Sequence, residues 1–362
     1  MKIIEEFVKE ILRAEHPDNY QQIYDSSLLL QYLDKKMKAV HGNSKSRRNL
    51  GNIYAVYSIL HFYQLDFYNQ PDKYRNFGGY DYTRLFNHYR GLYGGSKLEN
   101  HSLNSRVNGE FRNKFPTATN DLIIIDNGKY LLHIDYLYVG ETDIGRTAVK
   151  VIEKYMDLLI AKDDALVQFL QEIQKLTNYT EKKDKLSALL NDDAEARIFE
   201  IISYAILRNH YKSIKVYFGY TPETVKAEEL QLFKTGRTNA NDGGIDFVMR
   251  PVGRFFQVTE VCNYDKYLLD IDKVMHFPVS FVIKTSSSRQ VVMGDLERYI
   301  SERANGMRVL RERYEKAVEE IITINELKEW VSELGDSDID DIIRDIDIYY
   351  RLEMHMDTDV DE

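Results

Sequence analysis

The hydrophobic period of the chain changes near residue 193, and that change limits the fold more than any single motif does. Before it, residues 2–14, 26–39, 49–64 and 81–92, then 144–162 and 163–190, repeat apolar side chains at three- and four-residue intervals, the period of a half-buried helix. After it, residues 214–219, 244–249, 254–261 and 278–285 are short runs rich in Val, Ile, Phe and Tyr, set between helical stretches at 193–210 and 264–275. Short apolar strands alternating with helices suit a buried mixed sheet covered by helices. The expected fold is therefore α+β and multidomain. A helical amino-terminal domain spans 1–142, a helical connector 143–190, and an α/β domain with a central mixed sheet 191–362, ending in helices and an acidic tail. A length of 362 residues allows two or three such domains.

One feature interrupts the helical half. Leu122-Ile-Ile-Ile-Asp, the pair Asn127-Gly128, and Lys129-Tyr-Leu-Leu-His-Ile-Asp form a hairpin signal, because both turn residues tolerate positive φ. Residues 97–114 precede it as a candidate helix. Leu98, Val107 and Phe111 would face a core, while Asn100, Asn104 and Asn108 recur every four residues on another face, with Lys97 and Arg112 close in angle. Helix followed by hairpin is a winged-helix order, in which the helix reads the major groove of double-stranded DNA. The plainer alternative is a helical domain whose asparagines are merely exposed.

Charge distribution favours the DNA reading. The whole chain carries 48 Lys and Arg against 58 Asp and Glu, a net charge of −10, but residues 31–115 hold 14 basic and 6 acidic residues. Lys35, Lys36, Lys38, Lys45, Arg47, Arg48, Arg84, Arg90, Arg106 and Lys114 lie there among tyrosines and asparagines. Cations attract phosphates, and Asn and Arg can read base edges. The expected DNA-binding residues are Lys97, Asn100, Asn104, Arg106, Asn108, Arg112 and Lys129. Residues 336–362 carry 11 acidic and 2 basic residues; they read as a solvated helix with a frayed end, or as an acidic flap competing with DNA.

Other classes are disfavoured. With a single thiol, Cys262, the chain can form no intrachain disulfide and no cysteine zinc site, and Cys262 reads as a small core residue. No run approaches the ~20 apolar residues of a membrane span. The opening Met-Lys-Ile-Ile-Glu-Glu looks like an acidic amphipathic helix and not a signal peptide, which points to the cytoplasm. There is no phosphate-binding Gly-x-x-x-x-Gly-Lys loop, no Gly-x-Gly-x-x-Gly and no Gly-x-Ser-x-Gly elbow. His101, His133 and His355 lack metal-ligand spacing. Ser286-Ser287-Ser288-Arg289 reads as a phosphate contact or a plain loop.

The carboxy-terminal half carries the chemistry. Asp242-Gly-Gly-Ile-Asp-Phe-Val-Met249, a turn at Pro251-Val252-Gly253, and Phe255-Phe-Gln-Val-Thr-Glu-Val261 resemble the core hairpin of the PD-(D/E)XK nuclease superfamily, to which most type II restriction endonucleases belong. The helix, strand, hairpin, helix, strand order over about 193–290 is similar to that family's core, about a quarter of the chain. The resemblance implies a Mg²⁺-dependent, site-specific double-stranded DNA endonuclease of restriction-modification type. It also implies Glu200, on the preceding helix, as an additional metal ligand.

The chemistry explains the pattern. Phosphodiester hydrolysis needs charge neutralised at phosphorus and a water made nucleophilic, which Mg²⁺ held by oxygen ligands achieves. Asp246 and a polar residue on the paired strand can share an ion, since cross-strand Cβ atoms lie ~5 Å apart. The family's second strand ends in Glu or Gln, any residue, then Lys. Here Thr259 follows Gln257 and Cys262 follows Glu260, so no lysine stands at the required spacing. A three-residue turn would put Glu260 on the face of Asp246; a two- or four-residue turn would put Gln257 and Thr259 there. Asp246 with Glu260 is the preferred pair because carboxylates bind Mg²⁺ better than amides, and Gln257 is the alternative. Lys266 or Lys284 would replace the missing lysine. Cutting both strands calls for a homodimer, with a helix over 307–330 as the interface. A catalytically silent DNA-binding protein and a structural adaptor are the competing readings.

Overall fold

The computed structural model describes residues 7–37, 49–95, 103–235, 245–260 and 263–354. The chain divides into two compact units, 1–166 and 167–362.

The first unit begins with α1 (Phe7–Glu15), α2 (Tyr20–Ser26), α3 (Leu28–Met37), α4 (Leu50–Asp66) and α5 (Pro71–Arg75). Then come β1 (Tyr80–Asp81), α6 (Tyr82–Gly91), α7 (Ser105–Lys114) and the hairpin β2 (Ile123–Asp126) and β3 (Lys129–Leu132). A small ladder, β4 (Tyr138–Val139) with β5 (Thr142–Asp143), leads into α8 (Gly145–Lys175), which runs through the division between the units. Helix α4 is apolar on nearly every side, and Ile53, Tyr54, Val56, Ile59, Leu60 and Tyr63 are all buried, as a central helix requires. Its tyrosines bury their rings and still satisfy their hydroxyls. Tyr63 Oη donates to Asp143 (2.6 Å), whose carboxylate also accepts from the Asn69 and Gly145 amides.

The three-stranded sheet has the order β1-β3-β2. Asn127 and Gly128 adopt positive φ, as a two-residue hairpin turn demands. Gly79, at φ +100°, precedes β1 where a Cβ would stand 3.0 Å from Lys129 Cβ, so only glycine admits this strand beside β3. Ile123 and Leu132 face each other as a pair whose backbone groups point outward, and each is held by one side chain. Asn108 donates to Ile123 O (2.8 Å) and accepts from Ile123 N (2.9 Å); Tyr74 Oη donates to Leu132 O (2.9 Å) and accepts from Leu132 N (3.0 Å).

The second unit contains α9 (Tyr179–Ala188), α10 (Ala196–Tyr211), the ribbon β6 (Lys215–Phe218) and β7 (Lys226–Glu229), then β8 (Gln231–Lys234), β9 (Phe247–Arg250) and β10 (Arg254–Thr259). It continues with α11 (Tyr264–Lys273), β11 (Val279–Ile283), α12 (Arg289–Ala304), α13 (Arg308–Ala317), β12 (Val318–Thr323), α14 (Ile324–Glu333) and α15 (Asp336–Met354). The mixed sheet runs β12-β11-β10-β9-β8. Strands β8, β9 and β10 are antiparallel neighbours, while β10, β11 and β12 are parallel, so helices must carry the chain back between the parallel ones. Tyr267, Phe281, Ile283, Val292, Leu296 and Ile300 pack together on one face. On the other, Tyr204 of α10 rests on Phe247 and donates to Leu232 O (3.0 Å).

Two expectations change here. Residues 307–330 are not one helix: β12 occupies the middle, with Ile321 and Ile322 buried, and Trp330 stacks on His210 at 3.9 Å. Glu319 and Glu320 disguise the strand, since their charges meet Arg254 and Arg289. The acidic tail is also engaged. In α15, Ile339, Ile342, Ile343, Ile346 and Tyr350 are buried, and Asp338 and Asp345 pair with Lys212 (2.7 Å) and Arg208 (2.6 Å) of the same unit. No helix among the described residues is long and apolar enough to cross a membrane.

Candidate active site and nucleic-acid interface

The register of β9 on β10 decides the question the turn left open. Met249 pairs with Arg254, Val248 with Phe255 and Phe247 with Phe256, which leaves a four-residue turn, Arg250 to Gly253. Past β9 the Asp246 amide donates to Phe256 O (2.9 Å), one residue out of the Phe247–Phe256 register, and the Thr235 amide donates to Asp246 O (3.0 Å). Asp246 therefore reaches from Phe256 to Val258 of β10, with Gln257 between its two contacts. Side chains alternate along a strand, so Gln257 and Thr259 share one face of β10 and Glu260 falls on the other, and the four-residue turn is the case in which Gln257 is the expected partner of Asp246. The preference for Glu260 is corrected in favour of Gln257.

The polar atoms at this pair are unevenly satisfied. Asp246 Oδ2 accepts from the Val258 amide (2.7 Å), which fixes the carboxylate against β10. Gln257 is 7% exposed; its amide nitrogen donates to Val258 O (3.2 Å), but its Oε1 has no hydrogen-bond partner among the described residues. An acceptor buried without a donor is costly, and a cation beside it removes that cost. A carboxylate and an amide oxygen on one face fit Mg²⁺, which keeps most of its coordination for water and phosphate. No group of three or more His, Cys, Asp or Glu able to hold a metal occurs among the described residues.

The remaining expected residues are dispersed. Glu200, which the resemblance implied as a ligand, is buried on α10 and pairs with Lys234 (2.9 Å), which lies opposite Phe247. Thr259, in the lysine position, is buried. Lys266 is exposed in the first turn of α11, below the Asn263 cap. Lys284 extends from β11 to donate to Ala194 O (2.6 Å). Asp242 and Cys262 lie outside the described residues.

In the first unit, α7 begins at Ser105, and Lys97 and Asn100 lie outside the described residues. Asn108 is 1% exposed and spends its whole amide on Ile123, so the expectation that it reads DNA is wrong. The four-residue asparagine period had a structural cause: one member is the clamp between α7 and the hairpin. Asn104, half-buried, stands just before α7, where its backbone carbonyl accepts from the Asn108 amide (2.8 Å). Arg106 and Arg112 remain outward, 64% and 61% exposed, beside Glu110 (3.7 Å) and Asp121 (2.9 Å). Lys129 is exposed near Asp81 (3.9 Å). Burial, helped by Lys114 and Arg106, pushes the Lys36 ammonium down to about 8, although it pairs with Glu110. Cations thus line α7 from its first turn to its last.

No family model matches the chain, and neither a curated protein nor a solved structure matches it.

Proposed function

We propose that the chain is a Mg²⁺-dependent endonuclease that recognises and cuts double-stranded DNA at specific sites, acting in the cytoplasm as part of a restriction-type defence. The observation that carries this reading is the Asp246–Gln257 pair. A carboxylate held by the Val258 amide stands beside a buried amide whose oxygen has no donor among the described residues, in a helix, three-strand meander, helix, parallel-strand arrangement. That arrangement has the element order of the PD-(D/E)XK core, and Gln257-Val258-Thr259 occupies the register of its second motif. The first unit supports the reading independently: a strand, two helices and a hairpin, with sheet order β1-β3-β2, agree with a winged helix.

Asp246 and Gln257 would hold the ion. The bound Mg²⁺ supplies charge neutralisation at the phosphate and lowers the pKa of a water. The Val258 amide keeps Asp246 oriented, and burial of Gln257 excludes competing water from its oxygen. Incubating the full chain with long duplex DNA tests the proposal. Discrete fragments that vanish with EDTA and in Asp246→Asn are expected. Intact DNA under every methylation state would overturn it.

One observation favours a second reading. Thr259 fills the lysine position, and Lys284 is committed to Ala194 O. A core without an activating lysine would leave a sequence-specific DNA-binding protein that does not cut; specific binding without Mg²⁺-dependent turnover identifies it.

A further inference from the structure

We propose that α7 meets the major groove of duplex DNA through Ser105, Arg106, Gly109, Arg112 and Asn113, with Gly109 as the point of closest approach; this rests on the DNA-cleaving reading above. These five residues, spaced three and four apart, form one face of a ten-residue helix, and all are exposed. The face differs from the asparagine face, whose Asn108 is buried.

Gly109 sits in the helix interior, where glycine is the poorest residue after proline. Its φ is not in the left-handed region, and a Cβ built on it meets nothing within 4 Å among the described residues. Neither backbone conformation nor internal packing therefore calls for glycine. A partner lying against the helix does, because the missing side chain lets that partner approach the backbone.

The partner's chemistry follows from the flanks. Arg106 stands one turn before the glycine and Arg112 one turn after, with Lys114 beyond. Glu110 and Asp121 orient the two guanidiniums without burying them. Arginine matches guanine O6 and N7, asparagine matches adenine N6 and N7, and serine reaches phosphate. Gly294, inside α12, also has open space at its Cβ position and has Arg298 one turn on, but Asp295 and Glu297 stand with it beside exposed Val291, so that face carries no net positive charge. Gly91 is also open beside Arg90, but it is the last residue of α6, whereas Gly109 lies inside α7 with an arginine one turn away on each side.

The test uses the full chain without Mg²⁺ to select ligands from a pool of random-sequence duplexes, then measures affinity for the selected duplex by fluorescence anisotropy. The wild type is expected to enrich one motif. Gly109→Ala and Gly109→Leu should melt no lower than wild type yet bind that duplex at least about tenfold more weakly, the scale of a mismatched base pair. A folded Gly109→Leu that binds like wild type overturns this inference and leaves the DNA-cleaving reading standing. A wild type that enriches no motif overturns both.

Discussion

The two hairpins of this protein treat their polar groups in opposite ways. At the base of the β2–β3 hairpin, every outward backbone group of the Ile123–Leu132 pair is satisfied, one residue by the Asn108 amide and the other by the Tyr74 hydroxyl. At the Asp246–Gln257 pair, a carboxylate is bound to a backbone amide, but the neighbouring buried amide oxygen is left without a donor among the described residues. A closed account of hydrogen bonds indicates a part whose task is to hold position. An open one, buried beside a carboxylate, indicates a part completed by something from outside. Under the proposed function, the first hairpin fixes the helix that would face DNA, and the second would be completed by a cation.

Breaking the second hairpin should cost function and little stability. Asp246→Asn retains an acceptor for the Val258 amide but loses the charge that attracts Mg²⁺, so cleavage should fall by at least about a hundredfold while the melting curve stays near wild type. A gel assay with parallel circular dichroism measures both.

Breaking the first should do the reverse. Asn108→Ala leaves the Ile123 amide and carbonyl without their partner and should destabilise the protein by about 2 kcal/mol or more in urea denaturation. Tyr74→Phe, which removes only the hydroxyl shared by the Leu132 amide and carbonyl, should cost about 1–3 kcal/mol. If either substitution leaves the urea midpoint unchanged, the clamp has been misread.

Gln257→Leu sharpens the contrast. It replaces an incompletely satisfied buried amide with an apolar group, so stability should hold or rise by about 1 kcal/mol while more Mg²⁺ is needed for cleavage. Lost stability with an unchanged Mg²⁺ requirement would make Gln257 a structural residue like Asn108.

The smallest expected effect lies in the first unit. Burial, and His61 stacked at 4.2 Å, push His88 down from 6.5 to about 4. The folded chain keeps this ring neutral while the unfolded chain protonates it near 6.5. Its contribution is therefore complete above about 6.5 and is lost as pH falls toward 4. Thermal melts between pH 7 and 4 should show the decline, and His88→Gln should flatten it.

The sequence carried the broad outline because period and turn chemistry are local. The change near residue 193, the Asn127-Gly128 turn and the αβ alternation of the second half all appear as expected. What failed depended on partners distant in sequence. Glu319 and Glu320 made β12 look helical because the arginines that pair with them are elsewhere in the chain. Asn108 looked like a reader because a buried clamp and an exposed contact share a period, and Ile123 is invisible to that period. The site failed for a narrower reason: one residue more in the turn moves every side chain of β10 to the other face, and Pro251-Val252-Gly253 gave no way to see that Arg250 belonged to the turn. The orphaned Gln257 oxygen had a usable signal, a polar Gln-Val-Thr-Glu run inside an apolar strand, but its weight appeared only with the burial of the side chain.

The proposed function stands on Asp246 and Gln257 together holding the ion for DNA cleavage. The most direct measurement is the rate of duplex cleavage against Mg²⁺ concentration for wild type, Asp246→Asn and Gln257→Glu. Asp246→Asn should cleave at no more than about a hundredth of the wild-type rate at any Mg²⁺ concentration, and Gln257→Glu should show a lower half-saturating Mg²⁺, because a carboxylate binds the ion more tightly than an amide. Cleavage by Asp246→Asn at the wild-type rate, or identical Mg²⁺ curves for wild type and Gln257→Glu, would contradict it.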